Sequence, residues 1–195
     1  MLNAVEEQKI DRRVRKTKSQ LRQALMQLMT EKPFKSISVR ELSERADINR
    51  GTFYIHYRDV SDLLQHLEDE MAERLITVCR KYAYTDDTAV EAFPYLTELY
   101  RFAQENTDLC QVLLGPNGDR VYTERICSIL YSYFLRDFVA RFYSGDRDRL
   151  EYFCRFIVSG NLTLTLQWLS SGTKETSEEM AQLAGGIIMD GVRAL

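Results

Sequence analysis

Residues 33–64, PFKSISVRELSERADINRGTFYIHYRDVSDLL, leave few folds open to this chain. Ser38 with Glu41 three residues later has capping-box form, which starts a short helix at Val39. Val39, Leu42 and Ala46 make the inner face of that helix. Asp47-Ile48-Asn49 reads as a turn. A second short helix covers about 50–56, and Phe53 and Tyr57, four residues apart, point inward. Asp59-Val60-Ser61-Asp62 then caps a long helix from about 60 to 82. Upstream, a helix over about 11–31 places Val14, Leu21, Leu25 and Leu28 on one face, with Ala24 and Met29 beside them. Pro33 stops it, and Phe34 and Ile37 tuck into the core of a small domain.

The rest of the chain also reads as helices. Pro94 suits the first turn of a helix running to about 104. Residues 106–114 form a short element that ends at Gly115-Pro116-Asn117-Gly118, a strong turn signal. Helices over 119–143 and 147–170 follow, closed by Ser144-Gly145-Asp146 and by Gly172. Thr176-Ser177-Glu178-Glu179 is a second capping box. It opens a last helix over 177–194 whose apolar stripe is Leu183, Ile187, Ile188, Val192 and Leu195. The expected fold is all-α: a three-helix domain over 1–60, containing a helix-turn-helix, and a helical domain over 61–195.

Charge is unevenly shared between the two parts. Residues 1–64 hold 13 Lys/Arg against 9 Asp/Glu, whereas residues 65–195 hold 13 against 20. Within 9–22 the balance is seven basic to one acidic. The basic end suits phosphate and the acidic body repels it. Cys79, Cys110, Cys127 and Cys154 have no CxxC spacing and lie in apolar helical contexts, so they read as plain buried thiols. The N-terminal residues lack the apolar stretch of a secretory signal, and no apolar run is long enough to span a bilayer. A cytoplasmic protein is expected.

Enzyme chemistry finds little material. The two histidines are His56, in the second short helix, and His66, among Gln65, Glu68 and Asp69. A Ser-His-Asp site or a histidine-rich metal site is hard to build from them. Neither a P-loop nor GxGxxG is present, so no cofactor and no metal are expected.

The segment 38–58 carries a different chemistry. Its exposed set is Arg40, Asn49, Arg50, Gly51, Thr52, Tyr54 and His56, around the core residues Leu42, Ala46, Ile48, Phe53 and Tyr57. The hydroxyls of Thr52 and Tyr54 and the His56 ring can donate to phosphate oxygens, fixing register. Arg40 and Arg50 can fork onto guanine O6 and N7. Gly51 lets backbone approach a duplex closely. That is the composition of a helix laid in the major groove of double-stranded DNA.

Residues 12–64 resemble the TetR family of bacterial regulators, and ISVRELSERADINRGTFYIHYRDVSDLL follows that family's pattern nearly position by position. The resemblance implies a three-helix DNA-binding domain joined by the helix over 60–82 to a helical regulatory domain, in a homodimer on a partly palindromic operator. Helices 2 and 3 of each protomer would enter successive major grooves, with half-sites ~34–36 Å apart or somewhat further. Repression released by an effector is the usual family outcome, and nucleoid DNA is the implied location. The later segments LLGPNGD and SGNLTLTLQWLSSGTKETSEEMAQLAGGII look like those of regulators of dihydroxyacetone kinase operons. One departure stands out. The family often has a lysine at the start of the fourth helix, where this chain has Asp59-Val60-Ser61-Asp62-Leu63. Arg58 is the residue placed to compensate.

Seventeen of the 21 aromatic residues follow residue 64. They suit a small-molecule pocket, a groove for a partner protein, or simple core packing. If the helix over 60–82 is the lever, its face of Met71, Leu75, Val78 and Tyr82 should meet Tyr131, Phe134 and Phe138, with Tyr100 nearby. The helices over about 150–170 and 177–194 carry apolar stripes and the small residues Ser159, Gly160, Gly185 and Gly186. They are expected to form a two-fold four-helix interface, which Ile188→Glu should dissociate by burying an unpaired charge. Two rival readings are a regulator controlled by a partner protein without a small ligand, and an interaction module that binds no DNA.

Overall fold

The computed structural model describes the backbone of residues 2–82, 94–142 and 147–193 and the side chains of 12–81, 94–133 and 148–193. Among these residues the regular elements are nine α-helices and one 3₁₀ turn: α1 (Leu2–Glu31), the 3₁₀ turn Phe34–Ser36, α2 (Val39–Arg45), α3 (Arg50–His56), α4 (Val60–Tyr82), α5 (Pro94–Glu105), α6 (Thr107–Leu113), α7 (Arg120–Phe142), α8 (Arg147–Ser170) and α9 (Ser177–Arg193). α1 begins earlier than its apolar periodicity indicated. Residues 2–10 contain no glycine or proline and several strong helix formers, so nothing interrupts the helix. The chain divides into two compact units. One is Met1–Glu70 with Pro116–Asp119; the other is Met71–Gly115 with Arg120–Leu195.

The first unit is built on Leu21, Ala24, Leu25, Leu28 and Met29 of α1, with Ile37, Leu42, Ala46, Phe53 and Tyr57, all buried. Val14, Phe34, Val39 and Ile48 are half-buried at its margin. Val60, Leu63, Leu64 and Leu67 of α4 are buried too, and Glu70 pairs with Arg22 at 3.0 Å. The unit therefore extends to Glu70 rather than ending where α4 begins.

Each short helix is fixed by its own ends. Ser38 Oγ accepts from the Glu41 amide at 3.2 Å. The reciprocal half of that capping box is replaced, because the Glu41 carboxylate takes Lys32 at 2.7 Å. Asp47 has φ 53°, a left-handed conformation that aspartate tolerates better than most residues. The Asp47 and Ile48 amides donate to the carbonyls of Glu44 and Ser43 at 3.3 and 3.0 Å, which closes α2 in a Schellman motif. Asn49 Oδ1 then caps α3 through the Gly51 amide at 2.8 Å, and Asp59 Oδ1 caps α4 through the Asp62 amide at 2.8 Å. An N-cap of this kind is worth ~1 kcal/mol.

In the second unit α5 packs on α9 and α7 on α8. Its buried side chains include Leu75, Cys79, Leu96, Tyr100, Leu113, Ile126, Leu150, Cys154, Trp168 and Ile188. α8 ends at Ser170, and Gly172 just beyond it has φ 88°, a conformation open to glycine at little cost. The α9 capping box is complete: the Thr176 amide donates to Glu179 at 2.7 Å and the Glu179 amide to Thr176 Oγ1 at 3.1 Å. The four cysteines are free thiols. Three are buried and Cys127 is half-buried. Burial pushes the thiols of Cys110 and Cys154 up to about 12 and about 11.

The apolar stripe of α9 divides in an unexpected way. Ile188 is 1% exposed, whereas Leu183 and Ile187 are about half exposed, at 51% and 52%. Ile188 belongs to its own protomer's core and is not at the centre of an outward face. Gly185 is buried with it, while Gly186 faces open space. α8 behaves likewise: Tyr152 and Phe156 project outward, beside Gly160, where a β-carbon would meet nothing within 4 Å. Among the described residues no helix is long and apolar enough to cross a membrane.

Candidate nucleic-acid interface and apolar cavity

α3 is a two-sided helix. Phe53 is fully buried, and Tyr57, which follows the helix, is also in the core. Their rings lie 5.9 Å apart. Successive residues turn by about 100° on a helix, which sorts the remaining side chains. Gly51 and Ile55 lie opposite Phe53. Arg50 and Tyr54 flank them on one side, Thr52 and His56 on the other. Arg50, Gly51, Tyr54 and Ile55 are exposed, and Thr52 and His56 half-buried. Tyr54 is held edge-on to the Phe53 ring at 5.5 Å, so its hydroxyl is carried outward on a braced ring. Ile55 was absent from the reader set drawn from the sequence. Its position opposite Phe53 was the available signal.

Several cations near the two short helices are paired. Arg40 Nε donates to Glu44 at 2.8 Å, Arg45 pairs with Glu31 at 2.8 Å, and Lys32 with Glu41. Arg58 donates to Asp62 through Nη2 at 2.8 Å and Nε at 3.2 Å, and its backbone amide reaches the same carboxylate at 2.9 Å. The Arg58 side-chain and amide donors hold the Asp62 carboxyl below its ordinary range. Arg50 makes no ion pair among the described residues. Of the two arginines assigned to guanine, Arg50 is therefore ready for a partner, whereas Arg40 must leave Glu44 or carry it along. Val60 stands where the family often has lysine, and the neighbouring Asp59 carboxylate is occupied as the α4 cap. His66 sits edge-on to Tyr57 at 5.4 Å, with Nδ1 2.7 Å from the Asp62 carbonyl.

The second unit contains a half-open cavity of about 90 Å³. Its walls include Met71 and Leu75 of α4, Leu96, Leu99 and Tyr100 of α5, Tyr122, Ile126 and Leu130 of α7, Ile157, Asn161 and Thr165 of α8, and Ile188 of α9. No charged side chain is among its described lining residues. Part of its polar lining forms a neutral cluster. Tyr100 Oη donates to Asn161 Oδ1, and Thr165 Oγ1 donates to the Asn161 carbonyl at 2.8 Å. Burial raises the Tyr100 phenol to about 12, so it stays protonated. Trp168, the chain's single tryptophan, is edge-on to Tyr100 at 5.5 Å.

Met71, Leu75 and Tyr100 were all expected at this site, and the fold brings them together. Val78 does not join them. The buried stripe of α4 is Met71, Ala72, Leu75 and Cys79, and Val78 sits half-buried at its edge. Tyr131 is also elsewhere, because α7 turns Tyr122, Ile126 and Leu130 to the cavity. The Arg155 guanidinium lies over the Tyr131 ring at 4.8 Å. The side chains of Tyr82, Phe134 and Phe138 lie outside the described residues.

A three-helix unit with a capped turn and an outward polar helix, followed by a helical unit with an apolar cavity, defines a helix-turn-helix regulator. Residues 21–67 match the family described as bacterial regulatory proteins of the tetR family. Residues 91–190 match the transcriptional regulator C-terminal region of one of its branches. The chain belongs to the TetR family of transcriptional regulators, which are not enzymes. An uncharacterized HTH-type transcriptional regulator of Bacillus subtilis, YxbF, is 32% identical over 71 residues, 36% of this chain and 19% of that protein's length. Another, from Haemophilus influenzae, is 22% identical over 169 residues, covering 85% of this chain and 82% of its own.

Solved structures share the fold. A TetR transcriptional regulator from Streptococcus agalactiae has TM-score 0.67 and 22% identity, over 93% of this chain and 98% of that one. The dihydroxyacetone kinase operon activator DhaS has TM-score 0.56 and 19% identity, over 92% and 97%. FadR of Bacillus subtilis, in complex with stearoyl-CoA, has TM-score 0.62 and 16% identity, over 89% and 98%. At these identities the likeness shows the fold alone.

Proposed function

We propose that this chain is a homodimeric, operator-binding repressor released by a small effector held in the cavity of the second unit. The observation that carries the DNA half is α3. An unpaired Arg50, a braced Tyr54 hydroxyl, Thr52 and His56 surround a helix whose other side is locked into the core. Arg50 reads guanine. Tyr54, Thr52 and His56 hold phosphate, and Asn49, Gly51 and the free edge of Arg58 complete the contact. Arg40, from the start of α2, is a second guanine reader once released from Glu44. The protein acts on chromosomal DNA in the cytoplasm.

The dimer uses α8 and α9 of both protomers. Tyr152, Phe156, Leu183 and Ile187 supply outward apolar surface, and Gly160 and Gly186 leave room for a close approach of backbones. Apolar side chains grouped on two helices in this way are the mark of a binding surface. A two-fold pairing of these helices covers both sets at once.

The cavity supports effector control. FadR of Bacillus subtilis, which shares the fold, holds stearoyl-CoA. Here the described lining is mostly apolar and its polar side chains, Tyr95, Tyr100, Tyr122, Asn161 and Thr165, are neutral, which suits an uncharged ligand. A second reading rests on the cavity's size. It is smaller than the ~150 Å³ engineered cavity that admits benzene, which favours control by a partner protein. Titration of DNA flanking the chain's own gene separates the readings. In the effector case a cell metabolite fraction shifts Trp168 fluorescence and releases the DNA. A release that occurs with no Trp168 change indicates a protein partner. Failure to bind that DNA contradicts both.

A further inference from the structure

Ile55 is the most exposed large hydrophobic side chain among the described residues, at 77%. It stands on a helix whose other outward side chains are polar. An isoleucine left in water forgoes the stabilisation that burial supplies, and nothing in its own unit covers it. Its place on α3 says what can. Phe53, two residues earlier, is fully buried, so Ile55 lies almost directly opposite the core. Gly51, one turn before it, shares that ridge without adding bulk, and Ile55 is therefore the foremost side chain of the helix.

The ridge is bordered by Arg50 and Tyr54 on one side and by Thr52 and His56 on the other. A helix seated in the major groove turns its flanks to the phosphate walls and its ridge to the base edges. On the flanks Tyr54, Thr52 and His56 carry donors for phosphate oxygens, while the longer Arg50 side chain can reach past its flank to a base edge. Ile55 carries neither donor nor acceptor, so it gains nothing from phosphate or from the hydrogen-bonding groups of the bases. The apolar feature that base edges present in that groove is the C5 methyl of thymine.

We infer that Ile55 is a specificity residue that reads a thymine in each half-site through the C5 methyl. This rests on the DNA-binding reading of α3. It adds a contact at the ridge that the arginine and hydroxyl contacts do not supply.

Deoxyuridine pairs as thymidine does and lacks only that methyl, which makes the test specific. Duplexes selected from a random pool by the full-length protein are resynthesised with one thymidine at a time replaced by deoxyuridine. Binding is measured by fluorescence anisotropy for wild type and for Ile55→Ala. At one thymidine per half-site the replacement should weaken wild type about fourfold, the worth of one buried methyl group. Ile55→Ala should bind the thymidine and deoxyuridine duplexes equally at that position. Circular dichroism should show both proteins equally folded, because Ile55 touches no core. Equal losses in wild type and Ile55→Ala overturn the inference while leaving DNA binding intact. So does a duplex at which no thymine methyl matters to wild type. If no duplex is selected at all, the DNA-binding reading fails and this inference with it.

Discussion

The side-chain amide of Asn117 donates to the backbone carbonyl of Met29, Nδ2 to O, at 3.0 Å. The Phe34 amide returns a bond to the Asn117 carbonyl at 3.4 Å. Residues 116–119 thus belong to the compact unit of α1–α3, although they join α6 to α7. Both neighbours of this loop reach the cavity, through Leu114 before it and Tyr122 after it. Gly115 cannot easily be replaced, because a β-carbon there would lie 2.1 Å from the Gln111 carbonyl oxygen.

In the proposed effector mechanism, a shift of the cavity walls would reach the end of α1 through this loop. Asn117→Ala should leave operator affinity nearly unchanged and weaken the effector's influence on it by up to about fivefold. That is the worth of one hydrogen bond of ~1 kcal/mol. DNA titrations with and without effector check it. An undiminished response takes the loop off the route of control.

Neighbouring isoleucines of α9 should behave in opposite ways. Ile187→Glu places a charge on the outward face and should yield a folded monomer. Ile188→Glu places a carboxylate in the protomer's own core and should unfold the second unit, at a cost of several kcal/mol. Sedimentation with circular dichroism separates the outcomes. A dimeric Ile187→Glu protein would move the interface away from α9.

The cavity lining sets a preference among six-carbon probes of equal length. 1-Hexanol should change Trp168 fluorescence and raise Tm, because the Asn161 side chain and the neighbouring hydroxyls can satisfy its oxygen. Hexanoate and hexylamine should bind at least about tenfold more weakly at neutral pH, since the described lining holds no counter-charge. Tight hexanoate binding would place a cation at the site. Asn161→Leu should remove the advantage of the alcohol over hexane.

Alkaline pH should destabilise the second unit. The Cys110 thiol has an ordinary value of 9.0 and is pushed up to about 12 by burial, and Tyr100 rises from 10.0 to about 12. Above pH 9 the unfolded chain begins to lose these protons while the folded chain keeps them. The unfolded state then binds fewer protons, so stability falls as pH rises from about 9 toward 12. Tm measured from pH 8 to 10.5 should decline, and Cys110→Ala should decline less steeply. A flat profile would mean these groups are not buried as described.

Much of this was legible in the sequence because its signals are local. The caps at Ser38, Asp59 and Thr176 and the breaks at Pro33 and Gly172 set helix ends from neighbouring residues alone, whereas the Asn49 cap of α3 reads in the sequence only as part of a turn. Which face of a uniformly apolar helix turns inward is not local. Ile187 and Ile188 have the same chemistry, and only packing of α9 on α5 assigns one to the core. Val78 and Tyr131 missed the cavity for a similar reason, since each lies on the edge of a face whose rotation the neighbouring helices set. Ile55 was readable from its spacing to Phe53, but an apolar residue does not draw notice in a search for polar readers.

The central claim is that α3 is the DNA-reading helix. It is tested most directly by the salt dependence of binding to a selected operator, measured by anisotropy for wild type, Arg50→Ala and Tyr54→Ala. Wild type should lose affinity linearly in log–log form as salt rises. Arg50→Ala should bind more weakly by about 1–3 kcal/mol and, if the arginine also neutralises phosphate, reduce the slope by about one. Tyr54→Ala should lower affinity with the slope unchanged, because a neutral hydroxyl releases no counterion. Wild-type affinity and slope in both variants would contradict the account.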